Sequence, residues 1–224
     1  MAPRPSSILL RLLCAGCISM GFALVAGPAS SAPVFGFRED WTGTSTHGWL
    51  GGGGSGVGIS NPGTDGVDGS GDGYLLLSLA DAGNFGSRSS GSEYIGSWPL
   101  AGIEQVRVAI NDVGAPDALE LHFCIGNTSN FWQYNQGFVP TNGVWKDYVI
   151  GLSDPNQFTR IIGSGTFAQA LQSTDRILIR HDLAPFVQIP DPGAGDFGID
   201  RVILTAVATP ARHSTWGKIK ALYR

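Results

Sequence analysis

The chain has 224 residues, of which 14% are charged and 33 are glycine, and its formal net charge is −4. Between Pro33 and Thr209 there are 8 basic against 18 acidic side chains, a net of −10, whereas Arg212, Lys218, Lys220 and Arg224 make the last stretch basic with no acid. So acidic a body argues against nucleic acid as a partner, which needs a basic surface, and it is compatible with cations or neutral glycans.

The N-terminus reads as an export signal. Arg4 and Arg11 supply positive charge, Ile8 to Val25 is mostly apolar, and Pro28 to Ala32 offers small residues for cleavage. A retained anchor is the alternative, but Gly16, Ser19 and Gly21 interrupt the run, and it is short of the roughly 20 apolar residues that span a bilayer. The expected organisation is a signal peptide over 1–32, one domain over 33–209 and a basic tail over 210–224. That places the mature chain outside the cell, secreted or at the cell surface, with no membrane span once the signal is removed. Removal of the signal also removes Cys14 and Cys17, leaving Cys124 without a disulfide partner. Stability must then come from the core or a metal rather than from cross-links.

From Gly43 to Gly73, 13 of 31 residues are glycine, which predicts loops and tight turns. A strand follows at Tyr74–Leu79, then a Gly/Ser-rich loop and a segment over Tyr94–Leu100. Ile103–Asn111 alternates, with Val106, Val108 and Ile110 on one side and Gln105, Arg107 and Ala109 on the other. Leu119–Ile125 repeats the pattern, setting Leu119, Leu121, Phe123 and Ile125 against Glu120, His122 and Cys124. Phe131–Tyr134 and Val144–Ile150 are aromatic-rich strands, and Thr166–Gln172 predicts one short helix. Arg176–Asp182 and Gly198–Val207 are the closing strands. The expected class is all-β with many turns and a single helix.

The order of several motifs carries a resemblance. Gly48-Trp49 is followed by Tyr94-Ile95-Gly96-Ser97-Trp98-Pro99-Leu100, Trp145-Lys146-Asp147-Tyr148-Val149, the helix Phe167-Ala168-Gln169-Ala170-Leu171, Ile177-Leu178-Ile179-Arg180 and Gly198-Ile199-Asp200-Arg201-Val202. From Phe37 to Leu204 this resembles the laminin B (laminin IV type A) domain. The resemblance implies a jelly-roll β-sandwich, concanavalin- or galactose-binding-like, akin in shape to carbohydrate-binding modules. It also implies a matrix or surface interaction without an established catalytic role. The chain departs from the animal arrangement in lacking flanking cysteine-rich repeats, and its C-terminal tail looks like those of exported bacterial proteins.

Neighbouring first and last strands in such a jelly roll would bring Glu39 and Asp40 near Asp200, an expected structural calcium site, since calcium takes six to eight oxygen ligands. The alternative pairs Asp200 with Arg38 or Arg201 and leaves Glu39 and Asp40 exposed. Asp68-Gly69-Ser70-Gly71-Asp72-Gly73 also alternates oxygen ligands, but the twelfth position from Asp68 is Leu79 rather than Glu. Asp and Gly are equally turn formers.

Glycan binding draws on aromatic platforms with polar neighbours, and Trp132 and Tyr134 alternate in phase among Asn127, Asn130, Gln133 and Asn135. Arg107, Glu120 and His122, with Arg180 in addition, are the expected polar side of the same pocket. The competing reading makes such aromatics core. An enzyme would need paired carboxylates, such as Glu120 with Asp117 or Asp147. There is no Gly-x-Ser-x-Gly elbow, and Cys124 is expected to be half-buried and inert. The expectation is therefore a non-catalytic extracellular module that binds or adheres to glycan or a matrix or surface polymer. The alternatives are a glycoside-active enzyme of sandwich fold and a purely structural surface protein.

Overall fold

The computed structural model describes residues 32–52, 56–114 and 119–207, so the expected basic tail and all but the last residue of the expected signal peptide lie outside the described residues. Twelve strands and one helix follow in the order β1 (Arg38–Glu39), β2 (Leu50–Gly51), β3 (Gly58–Ser60), β4 (Leu75–Asn84), β5 (Gly86–Ser89), β6 (Gln105–Asp112), β7 (Leu121–Asn127), β8 (Asn130–Tyr134), β9 (Lys146–Gly151), β10 (Phe158–Gly163), α1 (Phe167–Gln172), β11 (Arg176–His181) and β12 (Pro192–Thr205). They form two antiparallel sheets. One has the order β3-β4-β12-β6-β9, with β1 also on β12; the other has the order β10-β8-β7-β11-β5-β2. The architecture is the all-β sandwich with one short helix that the sequence predicts.

Alternation decides which side of each strand is dry. Val106, Val108 and Ile110 of β6 and Leu121, Phe123 and Ile125 of β7 are buried between the sheets. Trp41, Trp49, Trp98, Phe85 and Phe197 join the same core. Full burial of each such side chain contributes about 1.5–3 kcal/mol, so a core of this size can stabilise the domain without a cross-link. Thr166 caps α1 in a reciprocal capping box with Gln169, satisfying donors that the first helical turn leaves unpaired. The buried face of α1 packs against the second sheet, where Phe167 stacks on Phe158 at 4.1 Å and meets Trp132 edge-on at 5.7 Å.

In β12, Phe197 and Ile199 face the core in one phase, and Val202 and Leu204 in the other. A bulge between Asp200 and Ile203 absorbs the change, with Arg201 at φ 50°. An extra residue in one strand does this by letting two residues oppose one partner. Asp200, next to the inward Ile199 and just before the bulge, points the other way and meets the loop over residues 64–73 through the Val67 amide.

The short strands β2 and β3, in the glycine-rich stretch, and β5 and β10 are unpredicted, whereas β1 lies where the first strand is expected and pairs with the last, β12. β12 begins at Pro192, six residues before the expected start.

Candidate functional site

The register of the second sheet sets which side chains share its outer face. Arg88 of β5, Leu178 of β11, Cys124 of β7 and Gln133 of β8 lie directly opposite one another across four strands. Two residues along, Gly86, Arg180 and His122 form one flanking row, and Arg176, Gly126 and Phe131 form the other. Side chains two apart on a strand share a face, so these rows make one surface. Cys124, Phe131 and Ile161 form an apolar cluster there, with Ile162, Leu178 and Phe186 packed against it.

This surface holds a groove of about 260 Å³, walled by Arg88, Arg176, Arg180 and Gln188 and floored by Phe131 and Leu178. Gly126, the residue opposite Phe131, stands at φ 139°, and a Cβ there would come within 2.2 Å of the Asn130 carbonyl oxygen. Beside it Arg176 lies over the Phe131 ring, its Cζ 4.8 Å from the centroid. Such a contact attracts the cation to the ring face and fixes where the guanidinium sits. Arg176 is otherwise close to Asp175 only at 3.8 Å, and the buried Nε of Arg88 has no hydrogen-bond partner.

Arg180 differs from both. Its Nε donates to Gln133 Oε1 at 2.7 Å, one terminal nitrogen donates to the Gln188 carbonyl at 2.9 Å, and the other donates to Asp182 Oδ2 at 2.7 Å and the Val187 carbonyl at 2.6 Å. Asp182 in turn accepts the Asp191 amide, and Asp191 accepts the Leu183 amide. The segment over residues 183–191 is thus fastened across the face, with Phe186 edge-on to His122 at 4.8 Å. Arg180 holds the wall of the groove in place.

His122 is buried, with Nδ1 2.8 Å from the Tyr134 carbonyl and Nε2 3.3 Å from Glu120 Oε1. Burial pulls its pKa below the ordinary value, against the hydrogen bond from its ring and the Glu120 charge. Glu120, His122 and Arg180 therefore share one region, as expected. Arg107 does not join them: it is exposed on the outer face of the first sheet, opposite Val149 and Ile203.

Trp132 and Tyr134 also lie elsewhere. Trp132 is opposite Ile125, and both aromatics pack with the core between the sheets. The Trp132 Nε1–H donates to Asn130 Oδ1 at 2.7 Å, and Tyr134 tilts against Phe158 at 5.1 Å. Tyr134 is core and Trp132 is half-buried against it, with the Arg160 guanidinium 5.8 Å over its ring, because the strand's other phase, Phe131 and Gln133, points to the outer face. Leucine, phenylalanine and isoleucine at the inward positions of β7 signal that phase, and pairing β8 in register transfers it.

The expected calcium ligands are divided in the same way. β1 does pair with β12, setting Glu39 opposite Val202. Glu39 Oε1, however, lies 2.5 Å from His47 Nδ1; burial raises the Glu39 pKa, while His47 opposes the rise. Asp40 accepts from Arg38 Nε at 2.5 Å. Asp200 is fully buried and accepts the backbone amides of Val67 at 2.9 Å and Arg201 at 2.7 Å. Burial pushes its pKa up to about 6, with Asp72 and Asp40 adding to the rise. Among the described residues no group of three or more His, Cys, Asp or Glu side chains is placed to hold a metal ion. Glu39 is thus drawn to His47 and Asp40 to Arg38, while Asp40 still lies near enough to Asp200 to raise its pKa. The Asp68–Gly73 stretch is a turn held by its own bonds, with the Asp68 amide donating to Asp72 Oδ2 at 2.7 Å and Asp68 paired to Arg201.

For the enzyme alternative, Asp147 lies on β9 in the first sheet, away from the strand that follows Glu120, and Asp117 lies outside the described residues. Burial pushes the Cys124 thiol up to about 12, which leaves it protonated and inert.

No protein-family model and no curated protein matches the sequence, so neither comparison supports the laminin B resemblance. Solved structures do match in shape. A family 11 carbohydrate-binding module of a cellulosomal cellulase of Clostridium thermocellum is 17% identical, with a TM-score of 0.52 over 81% of this chain and 100% of that one. The family 11 module from Clostridium thermocellum in complex with a beta-1,3-1,4-mixed-linked tetrasaccharide is 18% identical, with a TM-score of 0.50 over 79% of this chain and 99% of that one. An exo-beta-agarase is 12% identical, with a TM-score of 0.54 over 78% of this chain but 25% of its own. The fold is that of the jelly-roll carbohydrate-binding modules. At these identities the likeness is one of fold.

Proposed function

We propose that this chain is an exported, non-catalytic module that binds glycan along the outer face of its second sheet. The observation that carries the reading is the groove between Arg88, Arg176 and the 183–191 segment, preformed over five strands by backbone pairing and by the Arg180 bonds. Its volume is small beside the roughly 300–1,000 Å³ of pockets that enclose drug-sized ligands, which suits one stretch of a longer chain better than an enclosed substrate. The family 11 module that holds a tetrasaccharide supports the reading through its similar fold. Export rests on the charge and apolar pattern of residues 1–32, and surface adhesion would follow from the bound polymer.

Binding and turnover are separable on a panel of polysaccharides, measured by affinity electrophoresis together with release of reducing sugar. Retardation without hydrolysis is expected. Hydrolysis abolished by Glu120→Gln would make the protein an enzyme, and self-association without retardation by any glycan would make it a structural surface protein.

A further inference from the structure

The groove concentrates cations in a protein that is otherwise acidic. Three of the 8 basic side chains between Pro33 and Thr209 wall it. No aspartate or glutamate is among the described residues lining it. Register makes this a cluster rather than a scatter. Leu178 is directly opposite Arg88, so Arg176 and Arg180, two residues to either side on β11, are both diagonal neighbours of Arg88. Diagonal neighbours on one face sit about 7–8 Å apart, within reach of long side chains.

Like charges so placed destabilise a face unless something of opposite sign meets them. Asp182 does so for Arg180 at 2.7 Å. Among the described residues nothing comparable meets the other two: Arg176 has Asp175 at 3.8 Å, and the Arg88 Nε is buried without an acceptor. A guanidinium presents its donors in a planar fork that fits a carboxylate or sulfate with two parallel bonds. Its neighbour Leu178, half-buried on the same face, offers the apolar surface against which a sugar ring can lie.

We propose that the groove recognises an acidic sugar, a unit bearing a carboxylate or sulfate group, with Arg88 and Arg176 taking the anion and Arg180 holding the wall. The inference rests on the reading of the groove as a glycan site, and it replaces the neutral glycan that the overall charge favours. The acidic body does not oppose it at the range of contact, since charges beyond about 8–10 Å are largely screened at physiological ionic strength.

Isothermal titration of the full chain with trimers of galacturonate and of mannuronate, with their neutral methyl esters, and with a sulfated galactose trimer tests the proposal. An acidic trimer is expected to bind at least about tenfold more tightly than its uncharged counterpart, about 1.4 kcal/mol. Which acidic trimer binds tells carboxylate from sulfate. Arg88→Ala and Arg176→Ala should each remove most of that preference while keeping the unfolding transition of the parent chain. Equal binding of acid and ester, or a preference untouched in both folded variants, overturns the acidic inference and leaves the glycan reading standing. Failure of every acidic and neutral glycan to bind ends both.

Discussion

Arg180 and Asp182 meet at 2.7 Å with both side chains buried on the outer face of the second sheet. The pair is two residues apart on the strand end that leads into the 183–191 segment, and Arg180 also binds that segment's carbonyls. Taking away one partner of a buried ion pair leaves an uncompensated charge and destabilises by about 3–5 kcal/mol. Asp182→Ala is accordingly expected to lower unfolding free energy by about 3 kcal/mol in urea titrations. A loss under about 1 kcal/mol, the size for an exposed pair, would show that the segment is not fastened this way.

Phe131 and Trp132 are adjacent in sequence and face opposite ways, which separates binding from stability. Trp132→Ala empties a space against Phe167 and the core, and large-to-small changes of this kind remove about 3–5 kcal/mol at full burial. It should lower the melting temperature and leave the glycan affinity of the folded protein unchanged. Phe131→Ala releases Arg176 from the ring beneath it, so affinity should fall several-fold. Glycan titrations of both variants, with melting curves beside them, check the assignment. The reverse pattern would return Trp132 to the binding face.

Asp200 makes stability depend on pH in a stated direction. Its pKa in the folded protein is raised from 3.8 to about 6 by burial, with Asp72 and Asp40 adding to the rise. Between those two values the folded state holds the proton more firmly than the unfolded chain does. The contribution is present in full below the unfolded pKa and is lost as pH rises through about 6. Asp200→Asn has no charge to desolvate, though one of the two amides loses its acceptor. The variant should gain on the parent steadily from pH 4 to pH 7 in denaturation series, and a constant difference across that window would contradict the assignment. With Glu39 committed to His47, calcium and a chelator are expected to leave the melting temperature unchanged at pH 7. A calcium-dependent rise that Asp200→Asn abolishes would assign an ion there.

The sandwich was legible where alternation is strong, as in β6 and β7, because burial on one face imposes a period of two. β1, β2 and β3 have two or three residues each, too few for a period, and their pairing comes from long neighbours such as β4 and β12. The site was half legible. Glu120, His122 and Arg180 do share a region, but aromatic content marked Trp132 and Tyr134, whereas the phase of β8 is set by its register on β7. Arg88 sits in a Gly/Ser-rich stretch with no apolar pattern around it, and only the pairing of β5 with β11 brings it beside Arg176. Asp200 was conspicuous as an acid in an apolar strand. Its partners, the Val67 and Arg201 amides, depend on the bulge and on a loop more than a hundred residues earlier.

Cys124 gives an independent measure of whether the groove floor stays closed. The thiol is buried, lies 3.6 Å from Gln133 Oε1 and packs with Phe131 and Ile161. Burial raises its pKa to about 12, with the Arg180 charge opposing the rise. A protonated, enclosed sulfur is a poor nucleophile. In a chain carrying Cys14→Ser and Cys17→Ser, an aromatic disulfide reagent at pH 8 should therefore react over the timescale of unfolding and stoichiometrically in denaturant. Asp182→Ala loosens the segment that covers this face and should speed the reaction in proportion to the stability lost. Fast labelling of the parent chain under native conditions would mean that the floor opens on its own, and the groove would then not be preformed.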